Sequence, residues 1–208
     1  MNILKHYQKV RDIKITPEEL IAFEDKVKHA YENTQVKGPI HLSKNNEEQL
    51  IELFQYIHPD DWVFSAWRNH YHALLHGVDP DKLFEGISEG RSMGTNNVNP
   101  NFYASSIVGG IIPMALGVAM GLKRKNSPNR VWCFIGDMTM ETGLFWEAYK
   151  YSQNFNIPLQ FVVEDNNLSV HTPTDIAWGK RMEAPKNVLY YSYKMGYPHH
   201  GTGNWVNF

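Results

Sequence analysis

The sequence has very little cysteine and no excess of either charge. Of its 208 residues only Cys133 carries a thiol, which excludes a disulfide framework and indicates a reducing compartment. Twenty Lys and Arg residues against 22 Asp and Glu give a net charge of −2, so nucleic acid or an anionic membrane is not expected as the main partner. The opening MNILKHYQKV lacks the apolar core of a signal peptide, and we expect a cytoplasmic protein.

Long hydrophobic runs are also scarce. Residues 104–122, ASSIVGGIIPMALGVAMGL, form a run without charge that is long enough to span a bilayer. Its glycines and Pro113 instead favour a helix packed closely between neighbours, so we expect no membrane association. Hydrophobic residues make up 42% of the chain, which predicts a globular protein with a substantial core.

The first part of the chain is predicted to be helical. Thr16 and Pro17, followed by two glutamates, are typical of a helix start, because threonine caps the first turn and acids favour the positive end of the helix dipole. Residues 47–57 predict a second helix, and Asp79-Pro80 opens a third that extends to Gly86. We interpret residues 1–208 as a single domain with an N-terminal helical segment.

The second part predicts a strand–helix–strand unit. RVWCFI (130–135) and PLQFVV (158–163) are apolar strands separated by a helix from about Thr142 to Asn154, and NVLYYSY (187–193) can add another strand. Such a connection makes the strands parallel and the crossover right-handed. The predicted fold is therefore α/β, a parallel twisted sheet with helices on both faces.

Polar residues follow both predicted strands. Gly136-Asp137 ends the first and Glu164-Asp165-Asn166-Asn167 ends the second. Ligands of parallel sheets bind at the carboxyl ends of the strands. A carboxylate and an amide oxygen there suit Mg²⁺ or Ca²⁺ with a phosphate-bearing ligand. Alternatively, Asp137 caps the next helix and the two asparagines form a turn, but the coincidence of both features at matched strand ends favours the metal site.

The segment GDMTMETG…VVEDNN (136–167) resembles the thiamine-diphosphate motif. Further segments resemble, in order, the alpha subunit of the thiamine-diphosphate-dependent 2-oxo acid dehydrogenases of the pyruvate, branched-chain and acetoin types. They are GPIHLS, AWRNHYHALLHGVDPDKLFEGI, SMGTNNVNPNFYASSIVGGIIP and YKMGYPHHGTG. Together they run from Lys37 to Gly203, and the resemblance implies a shortened member with the thiamine-diphosphate-binding fold.

The resemblance implies a set of site residues. Asp137, Asn166 and the Leu168 carbonyl would hold Mg²⁺; a shift of one residue would substitute Asn167 and Ser169. His41 and Arg68 would bind the diphosphate, and the backbone at Ser106 and Val108 would hold the aminopyrimidine ring. The remaining cofactor-binding candidates are Gly136, Met138 and Thr139, and the catalytic candidates are His200, its neighbour His199, and His70.

Some features do not follow the family pattern. Met138 replaces the second glycine of Gly-Asp-Gly, and its side chain is expected to point away from the phosphate. The interval from Leu168 to Asn187 is shorter than the family's. His72 and His76 are spaced as zinc ligands on a helix can be, but the pattern lacks the accompanying glutamate and no cysteine lies near, so zinc is disfavoured.

The resemblance implies an alpha-type subunit that holds the diphosphate and metal while a beta-type subunit supplies the rest of the active site. The expected assembly has two alpha and two beta chains. A 2-oxo acid would be decarboxylated and its acyl or aldehyde unit passed to a lipoyl domain or to another carbonyl compound; the shortened chain favours a free-standing carboligase. The alternatives are a transketolase-like N-terminal half and a non-catalytic subunit that stabilises a partner.

Overall fold

The structure is a computed structural model that describes residues 7–207. The first six residues of the opening segment MNILKHYQKV, on which the expectation of a missing signal core depends, lie outside the described part, as does Phe208.

Helices and strands alternate along most of the chain. In order, they are α1 (Pro17–Glu32), α2 (Glu47–Phe54), β1 (Trp62–Ser65), α3 (His70–His76), α4 (Pro80–Ser88), β2 (Asn96–Asn97), β3 (Phe102–Ala104), α5 (Ile111–Arg124), β4 (Val131–Gly136), α6 (Asp137–Met140), α7 (Gly143–Asn154), β5 (Leu159–Asp165), β6 (Leu168–Ser169), β7 (Thr172–Pro173), α8 (Thr174–Trp178) and β8 (Leu189–Ser192).

One six-stranded sheet organises the fold, with the strand order β2-β3-β1-β4-β5-β8. Every neighbouring pair in it is parallel except β2 and β3, which are antiparallel at one edge. The predicted β4–α7–β5 unit is confirmed, with Val131 opposite Leu159 and Gly136 opposite Glu164. The carboxyl ends of β4 and β5 therefore reach the same edge of the sheet.

Apolar cores lie on both faces of the sheet, which confirms the α/β prediction. In β4, Trp132 and Phe134 join a cluster with residues of α1 to α4, while Cys133 and Ile135 join a second cluster with residues of α5 and α7. This division follows from the alternation of side chains along a strand. Burial raises the pKa of the Cys133 thiol well above its usual range, so the thiol is a packing group.

The predicted helix start at Thr16 is confirmed. The Thr16 hydroxyl accepts from Glu19 N–H and the Glu19 carboxylate accepts from Thr16 N–H, which forms a capping box. The third predicted helix is confirmed as α4, where the Asp79 side chain caps the first turn. The second helix, α2, ends at Phe54, earlier than predicted.

The prediction of a helix over residues 104–122 was wrong at its start. Ala104 ends β3, and the helix α5 begins only at Ile111. Between them, Ser105 N–H continues the pairing with β1 through Ser65 O, and Gly109 adopts a positive φ of 73°. The apolar run is thus divided between a strand, a loop and a 14-residue helix. Within residues 7–207, no helix is long and apolar enough to cross a bilayer.

The structure contains two central elements, β1 and α3, that the sequence pattern did not predict. The strand β1 is only four residues long, and three of them are buried, so it shows no alternation of polar and apolar residues. It nevertheless lies between β3 and β4 in the sheet. The short interval after Asn167 also forms structure, namely the β6–β7 hairpin and the helix α8.

A buried carboxylate joins the strands at the edge opposite the predicted site. Asp61 is 3% exposed and precedes β1. It accepts hydrogen bonds from His58 N–H at 3.1 Å, Arg130 N–H at 2.9 Å and the Trp132 indole N–H at 2.9 Å. Because a carboxylate satisfies several donors at once, Asp61 fixes the entry of β1 against that of β4.

We expect Asp61→Ala to lower the free energy of unfolding by about 3 kcal/mol, because it leaves buried donors without an acceptor. Urea unfolding followed by circular dichroism measures the loss. The matched control is Asp60→Ala, whose side chain is 73% exposed and should cost no more than about 0.5 kcal/mol. Equal losses in the two variants would contradict the anchoring role of Asp61.

Candidate functional site at the carboxyl edge of the sheet

A cavity of about 40 Å³ lies where β4 and β5 end. A space of this size holds an ion or one or two water molecules. Its lining includes seven of the residues that the sequence nominated: Arg68, Gly136, Asp137, Met138, Thr139, Asn166 and Leu168. The lining also includes Trp67, Glu164, Ser169 and Tyr193. The sheet thus brings the two predicted polar turns together.

Asp137 begins the short helix α6 directly after β4 and is 1% exposed. The Thr174 hydroxyl donates to its Oδ2, and Arg181 Nη2 lies 3.6 Å from the same oxygen. Burial raises the pKa of Asp137 to about 6, and the nearby Asp165 acts in the same direction. A carboxylate in this position favours a cation beside it.

The asparagine turn presents its two amides differently. Asn166 is half-buried and lines the cavity, and its Oδ1 accepts from Leu168 N–H at 3.0 Å. Asn167 is exposed, has a positive φ of 55°, and donates its backbone N–H to Asp165 Oδ1. An amide oxygen has two lone pairs, so Asn166 Oδ1 retains the capacity to bind a metal. Both Leu168 and Ser169 line the same cavity.

Arg68, His41 and the histidine loop meet at one carbonyl oxygen. His199 O accepts from Arg68 Nη2 at 3.0 Å and from His41 Nδ1 at 2.7 Å. Since a carbonyl only accepts, Nδ1 of His41 carries the proton. Burial lowers the pKa of His41 to about 3, so its imidazole is neutral. Residues from three distant parts of the chain therefore form one cradle.

Two buried nitrogen atoms of this cradle lack a hydrogen-bond partner in the described part of the chain. They are Arg68 Nε and His199 Nδ1. Burial, followed by the charge of Arg68, lowers the pKa of His199 to about 4. His199 lies within 6 Å of two further imidazoles, with ring-centroid distances of 5.8 Å to His200 and 5.7 Å to His171.

These residues fit a magnesium-bound diphosphate. Carboxylate, amide and carbonyl oxygens are the ligands that Mg²⁺ prefers, and the unpartnered guanidinium nitrogen of Arg68 matches an anionic oxygen. Within the described part of the chain, no group of three or more His, Cys, Asp or Glu side chains is arranged to hold a metal. A metal at the cavity would accordingly take amide and carbonyl oxygens beside the Asp137 carboxylate.

Ser106 and Val108 lie on an exposed loop outside the cavity lining. The loop is close to the site all the same, because a Cβ added at Gly109 would lie 3.9 Å from Thr139 Cγ2 and 3.1 Å from Leu144 Cδ2. The loop thus borders the cavity on the side of α7.

The sulfur atom of Met138 contacts Trp178 of helix α8. Met138 lines the cavity, and its sulfur lies 2.9 Å from the indole Nε1 of Trp178, which donates to it. Trp178 is the last residue of helix α8. Its contact with Met138 in α6 cannot be inferred from the local sequence. The space above Gly136 is open, since no atom lies within 4 Å of a Cβ added there.

The structure does not bring His70 to the cavity. Its Nε2 lies 2.9 Å from Ser92 Oγ, and its Nδ1 lies 3.3 Å from Glu24 Oε1, outside hydrogen-bonding geometry. His72 and His76 have separate partners, because His72 Nε2 donates to Glu164 and His76 Nε2 donates to the Asp61 carbonyl. The three histidines of α3 are buried polar groups of the core.

The sequence did not single out a layer of residues behind the metal-ligand candidates. This layer comprises Thr174, Arg181 and Tyr190, which contact Asp137 or Asp165. Burial opposes ionisation of Asp165, yet the Tyr190 hydroxyl and Asn167 N–H keep its pKa below the usual range. Thr174, Arg181 and Tyr190 become identifiable as site residues only in the folded chain.

Comparison with known proteins places this geometry in a family. The dehydrogenase E1 component model matches residues 18–185, which include Asp137, Asn166 and Arg68 but not His199 and His200.

Curated relatives cover the same region. The alpha subunit of acetoin:2,6-dichlorophenolindophenol oxidoreductase from Bacillus subtilis is 29% identical over 181 residues, which is 82% of this chain and 52% of that protein. The mitochondrial pyruvate dehydrogenase E1 alpha subunit of Dictyostelium discoideum is 27% identical over 150 residues, 68% of this chain and 40% of its own length. The Rickettsia conorii pyruvate dehydrogenase E1 alpha subunit is 27% identical over 160 residues, which is 72% of this chain and 49% of that protein.

The chain thus spans about half the length of the curated relatives that it matches. The family match covers most of the chain and contains both ligand-bearing turns. This protein therefore belongs to the dehydrogenase E1 component family.

Proposed function

We propose that this chain is the alpha-type subunit of a split enzyme that uses thiamine diphosphate and Mg²⁺. The observation that carries the proposal is the convergence of Asp137, Asn166 and Arg68 on one cavity at the carboxyl edge of the sheet. Family membership supports the same cofactor, since the relatives named above are alpha subunits of acetoin and pyruvate enzymes.

In this proposal the metal ligands are the Asp137 carboxylate, the Asn166 side-chain oxygen and the Leu168 carbonyl. The half-buried position of Asn166 favours it over the exposed Asn167. Arg68 holds the diphosphate through its unpartnered Nε. His41 lies beside Arg68 as a neutral ring, because its one N–H is donated to the His199 carbonyl. The His199 carbonyl orients both side chains, because it binds each of them directly.

Bound thiamine diphosphate supplies an electron sink for breaking or forming a carbon–carbon bond next to a carbonyl. The chain's own contribution is to bind, orient and neutralise charge. Arg68 is half-buried and brings a positive charge to the cradle. In this proposal His199 and His200 form the loop that faces the reacting end, and His199 is a neutral hydrogen-bonding group there, because burial lowers its pKa to about 4.

The substrate that we propose is a small 2-oxo acid, decarboxylated before its acyl or aldehyde unit is transferred. A lipoyl domain or another carbonyl compound would be the acceptor, and we favour a carboligase outcome in the cytoplasm. A transketolase-like half and a non-catalytic stabilising subunit are the competing functions. Binding of thiamine diphosphate separates the enzyme from the non-catalytic subunit.

The proposed partner surface surrounds the loop at residues 105–110. Apolar side chains are exposed there and on the adjoining helices, with Ile107 at 70%, Val108 at 48%, Leu144 at 38% and Met114 at 37%. Gly117 on α5 leaves open space beside it, which allows another chain to approach closely. We propose that a beta-type subunit covers this surface in an assembly of two alpha and two beta chains.

Asp137→Ala should abolish Mg²⁺-dependent binding of thiamine diphosphate and leave the fold intact. The reason is that burial disfavours the charged form of this carboxylate and raises its pKa to about 6, so its removal should cost the fold little. Isothermal calorimetry with and without Mg²⁺ measures the binding, and circular dichroism monitors the fold. Asn166→Ala should weaken binding more than Asn167→Ala. Unchanged binding by the Asp137 variant would refute the metal site, and the reverse order of the asparagines would shift the ligand register by one residue.

Met138→Gly should leave the affinity for thiamine diphosphate unchanged or make it tighter, because only the backbone amide at this position is needed. Calorimetry in saturating Mg²⁺ tests this, with Trp178→Phe as the control that removes the indole donor but keeps an aromatic ring. A loss of affinity greater than about tenfold, or 1.4 kcal/mol, would show that the methionine side chain itself binds the cofactor or shapes the site.

The chain alone should bind thiamine diphosphate weakly and release no CO₂ from pyruvate or another 2-oxo acid. Addition of a beta-type subunit encoded beside it should restore both properties, because the cofactor would then be enclosed from both sides. Sedimentation velocity measures the assembly and CO₂ release the activity. As an interface control, Val108→Asp should prevent assembly without unfolding the chain. Decarboxylation by a monomeric preparation would disprove the split-site proposal.

A further inference from the structure

The guanidinium of Arg181 lies among three carboxylates behind the proposed metal site. Its Nη2 is 3.1 Å from Asp165 Oδ2 and 3.6 Å from Asp137 Oδ2, and its Nη1 is 3.7 Å from Asp175 Oδ1. The Arg181 side chain is 19% exposed and Asp137 is 1% exposed, whereas Asp175 is 58% exposed. The contacts with Asp137 and Asp165 are therefore the shielded ones.

Arg181 is held in place from two sides. Its neighbour Met182 donates a backbone N–H to the Glu141 carboxylate, with both oxygens at 3.2 Å, at the end of α6. The Tyr190 hydroxyl of β8 accepts from Arg181 Nη2 at 3.0 Å and donates to Asp165. The side chain is thus fixed between the turn after β4 and the last strand of the sheet.

The two inner carboxylates belong to the two ligand-bearing turns. Asp137 is itself a proposed ligand. Arg181 acts on the second turn through Asp165, which directly precedes the proposed ligand Asn166. Asp165 Oδ1 accepts Asn167 N–H at 2.8 Å and so shapes the asparagine turn. Since Thr174 and Arg181 both contact Oδ2 of Asp137, they fix the rotation of that carboxylate.

The positive charge of Arg181 serves both turns because one nitrogen, Nη2, faces Asp165 and Asp137 together, while its hydrogen bond to Tyr190 fixes the guanidinium. Without it, two buried like charges would lie close together and the turns would separate or rotate. Groups that bind metal ligands from behind commonly alter metal affinity by 10–100-fold when they are removed.

We propose that Arg181 is a positioning residue that sets the distance and orientation between the proposed metal ligands Asp137 and Asn166. It acts through Asp137 and Asp165 and does not touch the cofactor. This inference rests on the proposed function, and it assigns to a residue outside the family's motif segments a role in assembling the site.

The test is the Mg²⁺ concentration needed for half-maximal binding of thiamine diphosphate to the chain assembled with its beta-type partner. In Arg181→Met this concentration should rise by about 10–100-fold, while binding at saturating Mg²⁺ returns to the parent level. Arg181→Lys should fall between the two, because it keeps the charge but loses the fork. A loss confined to the metal requirement distinguishes positioning from a general structural role.

Two further variants control the interpretation. Asp175→Asn should leave the Mg²⁺ requirement unchanged, because its contact with Arg181 is solvent-exposed. Tyr190→Phe should raise the Mg²⁺ requirement less than Arg181→Met, because the substitution removes only the hydroxyl that bonds Arg181 and Asp165. Melting curves establish that each variant is folded, and if Arg181→Met does not fold, Arg181→Lys and Tyr190→Phe carry the test.

An unchanged or lower Mg²⁺ requirement in the folded Arg181 variants would overturn the inference while leaving the proposed function standing. By contrast, a parent chain that binds no thiamine diphosphate at any Mg²⁺ concentration, even with its partner, would refute the proposed function and the inference with it. A higher Mg²⁺ requirement in the Arg181 variants, together with parent-level binding at saturating Mg²⁺, supports both the inference and the proposed function.

Discussion

The structure depends on the parallel pairing of β4 with β5. Their register sets Gly136 opposite Glu164, so that Asp137 and Asn166 emerge at one edge from strands that are far apart in the sequence. The strands are buried on both faces, and the apolar clusters on either side hold them rigidly. A site built on such strands places its ligands more accurately than a site built on mobile loops.

The concentration of charge at this edge has a cost that the surrounding residues offset. Asp137 and Asp165 are buried carboxylates, and their mutual repulsion is reduced by Arg181 and by the hydroxyls of Thr174 and Tyr190. Arg68 lines the same cavity beside imidazoles that burial keeps neutral. The cavity thus combines the carboxylates of Asp137 and Glu164 with one guanidinium, an arrangement suited to a cation and an anionic ligand that bind together.

The exposed loop at residues 105–110 relates the site to the rest of the proposed assembly. It connects β3 to α5 and passes close to Thr139 of the cavity lining at Gly109, while Ile107 and Val108 are exposed. The chain spans about half the length of the relatives that it matches, and in the proposed assembly it supplies one wall of the site. The proposed partner would add the opposing wall.

The sequence by itself determined the elements that local pattern encodes. The capping box at Thr16, the strands β4 and β5, the helix between them and the polar residues at their ends were all predictable, because burial and capping leave periodic or positional signals. The nomination of Arg68 and His41 relied on resemblance to a family, and the structure brings both to the His199 carbonyl.

Only the tertiary structure decided how an uncharged run is divided and which residues surround the ligands. Residues 104–122 read as one helix, yet pairing of Ser105 with Ser65 extends the strand and the positive φ of Gly109 delays the helix to Ile111. The placement of Arg181 behind Asp137, and of Trp178 against Met138, depends on where α8 and the loop after it pack. Contacts between such distant residues leave no periodic signal in the chain, because the folded sheet alone makes them neighbours.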